Sequence, residues 1–329
     1  METIKKRDYG FDNTKFLLIF LVVFGHILEE ISLSGWLGII RAVIYSFHMP
    51  LFVFISGYFS KSSINKVDRA FTDYLVPFFI FNTLFAIMIQ YNISINIFLP
   101  QYAFWYLLSL FFWNISIDYI SKFKLLLVVS FLLGIYCGFF DNIDRLFSLS
   151  RTICFFPYFI LGYGSNKERI DKWRSMNKAL PIAGIVICTF ITAFANYKGL
   201  IPVKMYEMLQ SYAKTEVDTL AGSAQRALIY MIALVMIVSV ISLIPNKEYF
   251  FTKFGTRTIS IYIFSSFLIK AIFSIIKRFA LIQSINCVYM EIVISLLLTV
   301  LIIVLTGNKW VYKLYINCIV FIKKAFMRP

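Results

Sequence analysis

Charge is scarce in this sequence. Only 15% of its 329 residues are Asp, Glu, Lys or Arg, against about 25% in a typical soluble domain. With 60% hydrophobic residues, this excludes an ordinary water-soluble fold. Cysteine arithmetic is equally thin. Cys137, Cys154, Cys188, Cys287 and Cys318 are scattered, with no CxxC and no Cys/His ligand spacing. They read as small apolar packing residues rather than a disulfide framework. Histidine is scarcer still, with only His26 and His48. Two histidines without a nearby third ligand fall short of zinc geometry, so no metal is expected. Internal repeats and low-complexity segments are absent.

Acidic residues are outnumbered 17 to 32 by basic ones, for a net charge of +15. A nucleic-acid binder gathers its cations on one soluble face. Here they form short clusters between apolar runs, the pattern of topology signals, and no nucleic-acid partner is expected. Anionic lipid headgroups and a phosphorylated cytosolic substrate are secondary uses for the same charge.

The apolar residues fall in runs of span length. They predict about ten transmembrane helices, at roughly 13–31, 36–59, 72–90, 102–120, 123–140, 150–165, 178–196, 223–244, 258–279 and 286–307. Helices follow because a bilayer leaves every backbone polar group to be satisfied within its own segment. The expectation is an all-α polytopic membrane protein forming one domain over 1–329, with no room for a sizeable soluble domain. Lys5-Lys6-Arg7 ahead of the run from Phe16 mimics a signal peptide. The best small-residue site, Ser32-Leu33-Ser34, is poor, so an uncleaved first span is expected. The sixth span is short and carries Pro157 and Gly162, which predicts a broken or tilted helix.

Orientation follows from the basic clusters. The side holding Lys5 also holds Lys61, Lys66, Arg69, Lys122, Lys124, the 167–178 cluster, Lys247, Lys253, Arg257 and the C-terminal lysines. The opposite loops hold only Arg145, Lys198, Lys204, Lys214, Lys277 and Arg278. Both termini are therefore expected in the cytoplasm of a multi-pass plasma-membrane protein. The longest external loop runs from Tyr197 to Gly222. Residues 310–326 read as an in-plane interfacial helix.

Ionisable residues inside spans are functional candidates by default. Ten residues separate Lys15 from His26, eleven helical steps that place both within about 20° of one helix face and about 16 Å apart along it. Asp12 precedes Lys15 by one turn and can pair with it or cap the helix. His48 lies eleven residues before the cytoplasmic end of the antiparallel second span. At about 1.5 Å per residue the two histidines reach nearly the same depth. Arg41 shares a face with His48, and Pro50 is expected to loosen the helix beside it. Each residue has an ordinary alternative, a hydrogen-bonded packing group or a snorkelling anchor. Matched depth favours a site around the histidines, and the family resemblance that follows leaves Lys270 in that ordinary class.

The segments Asp12-Asn13-Thr14-Lys15, Phe24-Gly25-His26 and Phe47-His48-Met49-Pro50-Leu51-Phe52, followed by Ser56-Gly57-Tyr58, resemble the N-terminal signature of the acyltransferase-3 family. The resemblance is closest to its fucose 4-O-acetylase-like acetyltransferase branch. The family's basic-residue–ten–His motif maps onto Lys15 and His26. Weaker matches are Arg69 ahead of Pro77, Trp105-Tyr106-Leu107, and Arg151 followed by Phe156-Pro157-Tyr158. Gly255, Thr258 and Tyr262 match a late pattern in which Ser265 stands at the family's histidine. No SGNH-type esterase-like domain is expected.

The resemblance implies transfer of an acetyl group from cytosolic acetyl-CoA, a co-substrate rather than a resident cofactor, to a sugar hydroxyl. The acceptor would be a cell-surface polysaccharide or its lipid-linked precursor. Under that reading His26 is general base or acyl acceptor, and His48 orients it or the thioester. Lys15 and Arg69 meet the CoA phosphates, and Arg41 and Arg151 meet the acceptor or the oxyanion. The alternative is a polytopic transporter of a small solute or glycan precursor.

Overall fold

The computed structural model describes residues 7–31, 35–62, 66–90, 97–143, 146–278 and 287–326. Lys5, Lys6, the Ser32–Ser34 cleavage candidate, Arg145 and Arg328 lie outside the described residues. Helices α1 (Tyr9–Ile31), α2 (Gly35–Tyr45) and α3 (His48–Phe59) come first. Next come α4 (Lys66–Ala70), a π-helical turn (Phe71–Leu75) and α5 (Val76–Gln90). Then follow α6 (Trp105–Ile120), α7 (Leu126–Tyr136), α8 (Leu149–Gly164), α9 (Lys167–Arg174) and α10 (Ala179–Tyr197). The chain ends with α11 (Val203–Tyr206), α12 (Thr219–Leu243), α13 (Thr252–Gly255), α14 (Thr258–Arg278), α15 (Val288–Thr306) and α16 (Lys309–Phe326).

The described residues are all-helical, without a strand. Each apolar run folds as helix, and six helices are long and apolar enough to cross a membrane. The chain is thus a membrane protein. Helix α1 is central, packing on α2, α3, α13, α14 and α15. Helix α16 is amphipathic: Tyr315 and Ile319 are buried, while Trp310, Leu314 and Phe321 are exposed.

Two details differ from the sequence expectation. The second apolar run breaks at Ser46–Phe47, before His48 rather than at Pro50. The cause is still Pro50. It has no N–H for the Ser46 carbonyl one turn earlier, and its ring crowds that carbonyl. The freed turn is closed by a side chain, because His48 Nδ1 donates to the Ile44 carbonyl at 2.8 Å. Conversely, α8 runs unbroken through Pro157. Neighbouring helices brace it at flanking carbonyls. Trp113 Nε1 donates to Thr152 O at 2.9 Å, and Tyr230 Oη donates to Cys154 O at 2.9 Å. This is how bundles tolerate proline at membrane depth.

Helices α3 and α8 form the most extensive pairing in the fold. Their backbones meet at two glycines. A Cβ on Gly57 would stand 2.1 Å from the Phe159 carbonyl oxygen, and one on Gly162 would stand 1.9 Å from that of Phe54. Small residues at such crossings let helices approach where lipid offers no hydrophobic drive. The contact fixes His48, on α3, relative to Arg151, on α8.

Candidate functional site

Two cavities lie end to end along α1. The first, about 250 Å³, is lined by Lys15 from α1, Lys66 and Arg69 from α4, and Asp73 and Tyr74 from the π-helical turn. The α3 face adds Phe52, Ser56 and Phe59, while α6 adds Tyr106 and Asn114. The second, about 400 Å³, holds His26, Glu29, Tyr45, His48, Tyr102, Arg151, Glu207 and Lys270. Val22, Met49 and Tyr262 line both, so these side chains form the wall between them.

Helical spacing explains the division. Lys15, Val22 and His26 sit at steps of seven and four residues, which keep one face of α1 turned inward. The N-terminal and midspan residues of that face therefore open into different cavities. Lys15 is held by Asp12 at 2.8 Å, and Asp12 also takes Arg7 at 2.8 Å. Asp12 itself lines neither cavity. Arg69 sits two residues before the π-helical turn, a local widening that re-aims side chains and recurs at functional sites.

In the second cavity His26 Nδ1 faces Glu29 Oε2 at 3.3 Å. A carboxylate only accepts, so Nδ1 carries the proton and Nε2 keeps its lone pair. Tyr45 Oη donates to the same carboxylate oxygen at 3.4 Å. The Tyr102 ring packs on the imidazole with centroids 4.4 Å apart, and the Lys270 ammonium lies 4.7 Å from the Tyr102 centroid. His26 is thus oriented by Glu29 and Tyr102. His48 was expected to orient it or the thioester; its Nδ1 donates to the Ile44 carbonyl, which leaves Nε2 as its acceptor.

Arg151 lies over Trp105 at 4.9 Å and donates from Nε to the Glu207 carbonyl at 3.0 Å. The Glu207 carboxylate stands 4.0 Å from Arg151 and 3.7 Å from Arg41. Burial pushes the Glu207 carboxyl up, against the pull of both guanidinium groups. Arg41 is buried at 3% exposure and does not line the cavity. It reaches the site through Glu207 and through the Tyr45 ring, whose centroid lies 5.5 Å from its guanidinium. Lys270, assigned from sequence to packing or snorkelling, lines the cavity and is paired with Glu30, which also holds Lys277.

Glu29, Tyr102, Ser148 and Glu207 were not singled out from the sequence. Glu29 had a readable signal, its spacing of three from His26. The others come from loops, and the fourth apolar run, expected from 102, begins its helix only at Trp105. Among the described residues five non-glycine residues have positive φ, and four of them, Tyr102, Phe147, Ser148 and Met208, sit on or beside this cavity's lining. Strained backbone gathers at functional sites. Replacing Glu29 with Gln is expected to lower kcat on the order of 100-fold by releasing the imidazole, with little change in KM for the donor. An unchanged kcat would take Glu29 out of the site.

A protein-family model described as an acyltransferase domain, Acyl_transf_3, matches residues 8–308. Nodulation protein NolL of Mesorhizobium japonicum is 47% identical over 70 residues, 20% of this chain and 18% of that protein. Nodulation protein NolL of Sinorhizobium fredii is 42% identical over 66 residues, 19% of this chain and 18% of that protein. No solved structure matches.

Proposed function

The chain belongs to the acyltransferase-3 family, and on that premise we propose that this membrane acyltransferase moves acetyl from cytosolic acetyl-CoA to a sugar hydroxyl. The acceptor is a cell-surface polysaccharide or its lipid-linked precursor. The enzyme lies in the plasma membrane with about ten spans and both termini cytoplasmic. Helix α16 lies in the interface. Family membership removes the transporter alternative.

The observation that carries this reading is the pair of cavities on one face of α1. The first has three cations, Lys15, Lys66 and Arg69, against one carboxylate, Asp73. That surplus suits the phosphates of CoA. The second has the oriented histidine and is the acceptor side. His26 Nε2 takes the proton of the attacking hydroxyl, or attacks the thioester carbon and carries the acetyl as an acyl-imidazole. In both routes the C–S bond breaks, the thiolate stays on the lysine side and is protonated there, and the ester forms on the histidine side. Glu29 stabilises the imidazolium that forms, as the carboxylate does in a catalytic triad. Arg151 is positioned to meet the acceptor or the developing oxyanion.

Two measurements test this. Loss of an O-acetyl signal from the cell's glycan on deleting the gene supports the assignment, and an unchanged spectrum removes it. Lys15→Ala and Arg69→Ala are each expected to raise KM for acetyl-CoA about 10-fold or more, the value of a charge-assisted phosphate contact. Acetyl-pantetheine, which lacks the nucleotide phosphates, should be used as well by both variants as by the unmodified enzyme. Equal losses with both donors would dismiss the first cavity as the CoA site.

A further inference from the structure

We propose that the histidine cavity is built for an anionic acceptor, with a carboxylate or phosphate seated at Ser148 and Arg151. The inference rests on the reading above that this cavity receives the acceptor. Ser148 is 2% exposed, lines the cavity, and its hydroxyl has no hydrogen-bond partner among the described residues. A buried, unpaired hydroxyl is costly unless something completes it. Ser148 occupies the N-cap position of α8, where serine ordinarily bonds a backbone N–H of the first turn. Here its φ of 56° and ψ of 29° leave the side chain without that bond. The hydroxyl is withheld from the helix and presented at the cavity instead. Tyr102 Oη is in the same condition, buried, unpartnered and on the lining.

Charge decides which ligand completes them. Arg151 lies one turn beyond Ser148 on the same helix, and the positive end of the α8 dipole points the same way. Glu207 is shared by Arg41 and Arg151 at 3.7 and 4.0 Å, and Glu30 is shared by Lys270 and Lys277. Glu29 is engaged by His26 and Tyr45. Arg151 and Lys270 line the cavity against Glu29 and Glu207, and behind them Arg41, Lys277 and Glu30 bring the set to four cations against three carboxylates when the histidines are neutral. A neutral sugar would satisfy the hydroxyls and leave that surplus. A sugar carrying an anionic group satisfies both. The anion's source is either a uronate carboxylate or the phosphate of a lipid-linked or phosphodiester-bridged saccharide.

Binding of glucose, glucuronate and glucose 1-phosphate to the purified protein in nanodiscs, without acetyl-CoA, separates these outcomes. At least one anion is expected to bind about 10-fold or more tighter than glucose, and whichever gains identifies carboxylate or phosphate. The preference should fall to the glucose level in Ser148→Ala and in Arg151→Gln, with unfolding temperatures showing that both variants remain folded. Equal binding of all three probes, no binding of any, or a preference that survives Ser148→Ala overturns the proposal. Acetyl transfer is scored separately. Anion preference without transfer to any glycan would sink only the acetyltransferase reading. Transfer without anion preference would sink only this one.

Discussion

His26→Ala is expected to abolish acetyl transfer, with kcat reduced about 1,000-fold or more, the range of a general base or nucleophile. The protein should still reach the membrane. His26 has partly exposed side-chain area and contributes one 3.3 Å contact and one tilted ring contact to its surroundings. Its removal leaves no large cavity in the apolar core. His48→Ala is the informative contrast. The His48 side chain closes the helix break at the Ile44 carbonyl, so its loss combines a structural effect with any chemical one. Retained glycan acetylation in a His26→Ala strain would remove His26 from the mechanism.

The second large effect is structural. Gly162→Val is expected to destroy the folded protein, because the added carbons meet the Phe54 carbonyl and the backbone N of Tyr58 rather than a flexible side chain. Neither atom can rotate away. The cost should exceed the roughly 1–3 kcal/mol of ordinary overpacking. Yield of monodisperse protein after detergent extraction measures it. Normal yield with normal activity would show that α3 and α8 can separate without harm to the site they carry.

The helical fold was largely legible, because span-length apolar runs in lipid admit little else. The break before His48 was misplaced by a few residues, since Pro50 acts on the carbonyl one turn back rather than on its own position. Continuity through Pro157 was illegible, since it depends on Trp113 and Tyr230 from other helices. The same division holds at the site. Lys15 and His26 are related by helical spacing within α1, which a sequence displays directly. Their separation into two cavities depends on Met49 and Tyr262, and the orientation of His26 depends on Tyr102, a loop residue with φ of 49°. The place of Lys270 on the cavity lining was not legible because an isolated lysine within a span carries no mark of its partner, and Glu30 is 240 positions away.

In the proposed reaction, with donor and acceptor on opposite sides of Val22, Met49 and Tyr262, a transfer that is proton-neutral in solution becomes electrogenic. The thiolate takes up its proton from the cytoplasm, while the acceptor's hydroxyl proton is shed at His26 on the far side. Each turnover then exports one positive charge against an inside-negative potential, an opposing work of about 2.3 kcal/mol per 100 mV for the full drop. In proteoliposomes, transfer should slow as such a potential is imposed and as the far side is acidified. Insensitivity to both would mean that His26 returns its proton to the thiolate through the wall, and that acetyl alone crosses.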